Sequence, residues 1–224
     1  TCALPIFNEA EIRFNRGVYS SESKQFEPAL VAAFRDKDHK ITAVECIYLD
    51  KDTANKANLN IAKRSHGVKK GSAIEIGKNT DKAHNITYLA EGLVTALSIK
   101  EALPYAHVLA VGGKSNIKNI DLSTLNDQVI VCADYDLISL NEDKNMVEVL
   151  KYLKENGKIV DVVYPSMDGK KVDYNDILMF QGVKKTTKQL QSHLIKSPLN
   201  ELKEVQPNHH IKQKSVKGVG IDLF

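Results

Sequence analysis

Residues 85–100 read NITYLAEGLVTALSIK, and the two halves of this stretch follow different rules. Ile86-Thr87-Tyr88-Leu89-Ala90 is an apolar run rich in the branched and aromatic side chains that suit a pleated, buried surface. Glu91-Gly92 interrupts it, and Leu93, Ala96, Leu97 and Ala102 then fall on one face of a helix. A strand that stops at an acid and a glycine and feeds straight into a helix sets a carboxylate at the C-terminal edge of a sheet. In open α/β sheets that edge is where ligands bind. A solvated carboxylate at a strand end is common, so the stretch gains weight only from its neighbours.

Gln128-Val129-Ile130-Val131-Cys132-Ala133 has almost no alternation, as expected for a strand covered on both faces. It ends in Asp134-Tyr135-Asp136, and residues two apart in an extended chain point the same way. Two carboxylates that close repel each other unless a cation neutralises them. A third acidic group, Asp173-Tyr174-Asn175-Asp176, follows the apolar run 159–164. Between the first two lies a strand over 106–111 that ends in Gly112-Gly113-Lys114-Ser115, without the spacing of a P-loop. Residues 140–156 read as an amphipathic helix with Met146, Val149, Leu150 and Leu153 on its apolar face and Gly157 at its end. Acidic clusters after successive parallel strands predict a hard-cation site built of carboxylate oxygens, of the kind magnesium takes together with water and phosphate.

Glu91-Gly92, Gly112-Gly113 and Asp134-x-Asp136, in that order on alternating strands and helices, resemble the toprim domain shared by bacterial-type primases, topoisomerases and some nucleases. The runs AEGLVTALS, AVGG, CADYD and DYNDIL are most similar to the toprim branch of phage and plasmid primases and of conjugative transfer proteins (relaxases and mobilisation proteins). The resemblance covers 86–180 well and reaches back more loosely to residue 12. Either motif alone is weak, and their order and spacing carry the signal. The resemblance implies an α/β fold: a toprim, Rossmann-like parallel sheet flanked by helices and preceded by a small β-rich subdomain. The expected division is 1–84 for a basic β-rich subdomain, 85–182 for the toprim core, and 183–224 for a helical extension and tail. It also implies that Glu91, Asp134 and Asp136 are the catalytic acids and that, with Asp176, they hold one or two Mg²⁺ (or Mn²⁺) ions. Glu91 is expected to bind metal first and move protons second. Asp173 reads as a helix N-cap. Tyr135 departs from the family, which often has asparagine there, and 137–140 lack the small residues and glycine that commonly follow.

Ahead of the core, Glu11-Ile12-Arg13-Phe14-Asn15-Arg16-Gly17-Val18 resembles the arginine-glycine-aliphatic turn that precedes primase cores, and it also reads as a helix capped at Gly17. The β-rich runs 28–35 and 41–49 flank a polar turn and predict a hairpin. Residues 61–71 read as a basic, glycine-containing loop, from which Arg64, Lys69 and Lys70 are candidate phosphate contacts. Gly112 and Gly113 are candidates to leave room for a substrate backbone. Residues 73–76 are expected to close the first subdomain as a short strand, and 183–195 to form a helix outside the core. The closing Ile221-Asp222-Leu223-Phe224 resembles the peptide by which replication proteins bind the sliding clamp, with Gly220 where the leading glutamine usually stands.

The 224 residues are 42% hydrophobic and 26% charged, the composition of an ordinary globular protein. No run is apolar enough to span a membrane, and no signal-peptide pattern opens the chain, which begins at Thr1 and so reads as a fragment. Cys2, Cys46 and Cys132 have no metal-binding spacing and point to a reducing, cytoplasmic setting. A net charge of +3 does not by itself establish nucleic-acid binding. The leading expectation is Mg-dependent nucleotidyl transfer by a primase-like domain acting on a DNA or RNA template and nucleotides. The alternatives are a toprim module of a conjugative relaxase or mobilisation protein, and a non-catalytic nucleic-acid-binding module.

Overall fold

The computed structural model describes residues 11–53, 55–77, 85–135, 140, 143–167 and 171–194. They form two sheets, one antiparallel and one mostly parallel. The first contains β1 (Ile12–Ser20), β2 (Gln25–Arg35), β3 (Ile41–Tyr48) and β4 (Lys63–Gly67), in that order across the sheet. The expected hairpin is β2–β3. Its turn is built by Asp36, whose Oδ1 accepts from the amides of Asp38 and Lys40. Two local readings change. The 11–18 segment is a strand, not a helix ended by Gly17, and its ladder with β2 shifts register between Asn15 and Val18. A segment that short is a poor isolated helix, whereas the edge of β2 offers it a ready row of hydrogen-bond partners. The supposed basic loop contains β4, paired with β3 from Ala43↔Gly67 to Ile47↔Lys63.

The second sheet holds β5 (Ile74–Ile76), β6 (Ile86–Ala90), β7 (His107–Ala110), β8 (Gln128–Cys132) and β9 (Ile159–Val163) in the order β5-β7-β6-β8-β9. β6, β7, β8 and β9 are parallel, and β5 is an antiparallel edge strand on β7. The short strand expected to close the first subdomain therefore hydrogen-bonds into the second sheet. Helix α1 (Leu93–Ala102) links β6 to β7, α2 (Lys144–Glu155) links β8 to β9, and α3 (Tyr174–Leu190) follows β9.

Strand alternation sorts the core into two layers. Tyr88, Ala90, Val108, Ala110, Ile130 and Cys132 face a cluster that contains α1, Leu190 of α3 and, from the first sheet, Ala32, Phe34, Ala43 and Ile47. Leu89, Leu109, Val129 and Val131 face the opposite cluster, where Met146, Val149, Leu150 and Leu153 of α2 are buried as their spacing predicts. Burying each of those α2 side chains stabilises the fold by roughly 1.5–3 kcal/mol. α1 is buried on more than one face, so its sequence carries little amphipathic contrast. α3 breaks at Gly182 (φ 77°, ψ 171°) and then continues, with Thr186 and Leu190 fully buried. The segment after 183 is the expected helix, mostly exposed, but Thr186 and Leu190 pack it onto the core, and Thr187 Oγ1 donates to the Ala102 carbonyl at the end of α1.

Candidate active site

The connection from β6 runs through α1 to β7 on one side, and the connection from β8 runs through α2 to β9 on the other. The C-terminal ends of β6 and β8 therefore flank the point where strand order reverses, the ligand-binding crevice of an open α/β sheet. Ala90 pairs with Cys132, so Glu91 follows its strand by one residue and Asp134 follows the neighbouring strand by two. Backbone register thus brings Glu91 and Asp134, two of the expected acids, to the same edge of the sheet. Asp136 lies outside the described residues.

Glu91 is largely enclosed, with its side chain 20% exposed and its Oε1 3.6 Å from Lys114 Nζ. The same ammonium donates to Asp143 Oδ2 at 2.7 Å. Asp143 is the N-cap of α2, and its other oxygen accepts from the Met146 amide at 3.0 Å. Burial works to raise the Asp143 carboxyl, but the Lys114 hydrogen bond, the Met146 amide and the lysine's charge together hold it below the ordinary carboxylate value. Tyr164, just past β9, reports the same neighbourhood. Its hydroxyl is pushed up to about 12, first by burial and then by Asp143 and Glu91, with Lys114 opposing. Neither Lys114 nor Asp143 stood out as a site residue in the sequence. Asp143 had a readable signal, since an aspartate immediately before a helical run is a capping residue.

Asp134 sits beside Tyr135, whose backbone exchanges hydrogen bonds with Val172 and whose ring meets Tyr164 edge-on at 6.4 Å. The Cys132 thiol is raised by its complete burial, with the Asp134 charge adding to the effect. Asp176 serves the backbone of α3. Its Oδ2 accepts from the Asp173 amide while Asp173 Oδ1 accepts from the Asp176 amide. This reciprocal capping box starts α3, so Asp173 is the N-cap its sequence suggests and Asp176 is its partner. Among the described residues, no group of three or more His, Cys, Asp or Glu side chains gathers closely enough to hold a metal. Glu91 and Asp134 themselves offer carboxylate oxygens, the hard donors that magnesium and manganese accept.

Of the candidate phosphate contacts, Arg64 lies on β4, Lys69 and Lys70 on the loop between β4 and β5, and Gly112 and Gly113 on the turn after β7. Gly112 (φ 74°) and Gly113 (φ 130°) turn the chain after β7 in backbone conformations that L side chains rarely adopt. A Cβ on Gly112 would lie 3.0 Å from the Phe34 ring and 3.2 Å from Lys69 Cδ, whereas one on Gly113 meets nothing within 4 Å. Lys69 thus lies against the glycine turn. Its Nζ is 5.5 Å from the Phe34 ring centre and 3.8 Å from the Oε2 of Glu45, a carboxylate whose side chain is only 2% exposed. Lys70 is exposed. Arg64 pairs with Cys46, whereas Ser65 pairs with Glu45, so Arg64 belongs to the sheet face opposite Glu45. Arg64 also lies close enough to Glu22 to lower its carboxyl, after the dominant amide hydrogen bonds from Ile61 and Asn60.

Asn116, in a 3-10 turn after the glycines, gave no sequence signal and fastens this region together. Its Nδ2 donates to the carbonyls of Lys69, Ser72 and Val111, and its Oδ1 accepts from the Gly71 amide. The loop carrying Lys69 and Lys70 is thereby tied to the end of β7.

The fold and its rim define the class: a parallel sheet with an acid-glycine turn at the switch point and an aspartate ending the neighbouring strand. Residues 86–184 match the family model of the toprim domain and are a toprim domain. Residues 2–76 match a domain of unknown function, DUF7146. No curated protein matches the chain. Among solved structures, the chain is similar to a DnaG primase catalytic domain bound to ssDNA, with TM-score 0.52, 16% identity, and 79% of this chain and 56% of that chain covered. It is also similar to the zinc-binding and RNA polymerase domains of the Aquifex aeolicus primase, with TM-score 0.50, 19% identity, and 84% and 48% covered. A third similar structure is the RNA polymerase domain of Mycobacterium tuberculosis DnaG, with TM-score 0.50, 14% identity, and 78% and 57% covered. At these identities the likeness shows the fold. The chain spans about half of each of these primase chains.

Proposed function

We propose that this chain is the catalytic part of a primase-like nucleotidyltransferase, which joins nucleotides on a nucleic-acid template with the help of a divalent cation. The observation that carries the reading is the placement of Glu91 and Asp134 on adjacent parallel strand ends at the switch point of a toprim domain. These two residues, with Asp136 as the family resemblance implies, would hold Mg²⁺ or Mn²⁺, which when bound supplies charge neutralisation at the reacting phosphate. The open side of Gly113 admits a substrate backbone beside the rim. Lys69 and Lys70, on the loop fastened by Asn116, offer positive charge to phosphates. The structure of a DnaG catalytic domain bound to ssDNA makes a single-stranded template the first substrate to try.

Strand cleavage needs a reachable tyrosine nucleophile, and of Tyr88, Tyr135 and Tyr174 among the motifs only Tyr135 is partly exposed. Tyr174 is fully buried, and Tyr88 is 7% exposed with its hydroxyl pushed up to about 12 by burial. The test is labelled-ribonucleotide incorporation on single-stranded DNA with Mg²⁺ or Mn²⁺. Short products that vanish in Asp134→Ala and in Glu91→Gln are expected. Products that persist in Asp134→Ala, or a chain that makes none on any template, would overturn the reading.

Among the described residues no helix is long and apolar enough to cross a membrane. The tail residues Ile221-Asp222-Leu223-Phe224 lie outside the described residues. A sliding-clamp contact through them is proposed from their sequence alone, and failure of a 215–224 peptide to bind a clamp would remove it.

A further inference from the structure

The Gly-Gly-Lys turn ends in a lysine that is neither solvated nor singly paired. Lys114 is 18% exposed and stands between two carboxylates, Asp143 (16% exposed) and Glu91 (20%). The two contacts are unequal: 2.7 Å, a hydrogen bond, to Asp143, and 3.6 Å, an ion pair only, to Glu91. Asp143 is held in place independently, because its second oxygen caps α2 through the Met146 amide. The lysine backbone is placed by the two glycines before it and by Asn116, which fastens Val111 to the 69–72 loop. One end of the bridge is therefore fixed and the other is shared with a residue at the sheet's ligand edge.

We propose that Lys114 is a displaceable counter-ion of the acid rim: anchored on Asp143, it lends its charge to Glu91 and yields Glu91 when a divalent cation arrives. The inference rests on the reading of Glu91 as a metal ligand and deepens it by naming the residue that sets the rim's affinity. An ammonium and a divalent cation compete for one carboxylate, and at these low exposures solvent screens that competition only partly. Asp143 decides the outcome. With its carboxylate present the ammonium is held at hydrogen-bond distance on Asp143, and without it more of the charge falls on Glu91. Lys114 is on this account a positioning residue, acting on the metal through Glu91.

The two partners should move metal affinity in opposite directions. The experiment is a titration of the full chain with Mn²⁺, followed by the electron paramagnetic resonance signal of the free ion and needing no catalysis. Lys114→Met should lower the Mn²⁺ Kd at least about fivefold, the factor that one unit charge at about 4 Å commands even at the dielectric of water. Lys114→Arg should stay close to the unaltered value. Asp143→Asn keeps a capping residue on α2 and should raise the Kd. In the Lys114→Met background the same Asp143→Asn change should move it less than about twofold, because the carboxylate acts through the ammonium. Circular dichroism melts identify any variant that fails to fold, and Lys114→Gln then replaces Lys114→Met. An unchanged Kd in Lys114→Met, or an equal effect of Asp143→Asn in both backgrounds, overturns the inference. Absence of Mn²⁺ binding by the unaltered chain overturns the metal reading itself, and the inference with it.

Discussion

Asn116→Ala should cost the fold about 3 kcal/mol, a large effect for a polar residue in a short turn. The side chain, 9% exposed, donates to three carbonyls at 2.8–3.0 Å and accepts one amide at 2.9 Å. The bonds to Ser72 and Val111 are buried, whereas those involving Lys69 and Gly71 are only partly so, and water can replace them. Counting only the two buried carbonyls, each left without a donor at about 1–3 kcal/mol, gives a range of about 2–6 kcal/mol. A water entering the vacated space pulls the value toward the lower half of that range. Urea unfolding followed by circular dichroism measures it. Asn116→Asp separates hydrogen bonding from packing, because it keeps the shape but sets a carboxylate oxygen against three carbonyls. It should cost at least as much as alanine. A loss under about 1 kcal/mol in either variant would refute the assignment of Asn116 as the fastening between the 69–72 loop and the end of β7.

Gly112→Ala should destabilise through both a strained φ and the Phe34 ring, by about 1–3 kcal/mol, while Gly113→Ala carries the strain without the clash and tests the two causes separately by urea midpoint. Leu153→Ala, at a position with no exposure, should cost about 2–5 kcal/mol in the same assay. Glu22 accepts the amides of Asn60 and Ile61, and its folded carboxyl lies below its ordinary 4.5. Its contribution is therefore present above that value and lost as pH falls through the folded one. The gap in urea midpoint between the unaltered chain and Glu22→Gln should close on acidification from pH 6 to pH 3, and a gap that stays constant would refute the linkage.

The parallel sheet was legible because buried strands and their helices carry strong periodic signals. The four apolar positions of α2 and the acid-glycine break at Glu91 are examples. The N-terminal strand β1 was not legible, since Ile12, Phe14 and Val18 alternate with polar residues over too short a span to separate strand from helix. Its identity is fixed by the partner β2, which sequence-local reasoning does not supply. The same blindness explains the site. Asp134 and Glu91 end strands, so local pattern found them. Lys114 and Asp143 meet across 29 residues and Asn116 reaches 44–47 residues back, through contacts that exist only once the chain has folded. Residues 61–71 read as one basic patch because a composition window ignores alternation, and β4 then turns Arg64 away from the face of Glu45.

Glu45 follows from that geometry and was not foreseen. A carboxylate with 2% exposure persists only with partners, and it has Ser65 Oγ at 3.3 Å and Lys69 Nζ at 3.8 Å. Lys69 therefore approaches any phosphate with part of its charge already committed. Glu45→Gln keeps the shape and the Ser65 contact while releasing the ammonium. If Lys69 is a phosphate contact held in check by Glu45, this variant should bind a single-stranded oligonucleotide more tightly. The plot of log affinity against log salt should also steepen by about 0.7, the increment for one added contact on a single strand. Lys69→Met should flatten the slope of the unaltered chain and cancel the effect of Glu45→Gln. A slope indifferent to both changes would show that Lys69 serves only to neutralise Glu45, leaving Lys70 and Arg64 as the candidate phosphate contacts of this region.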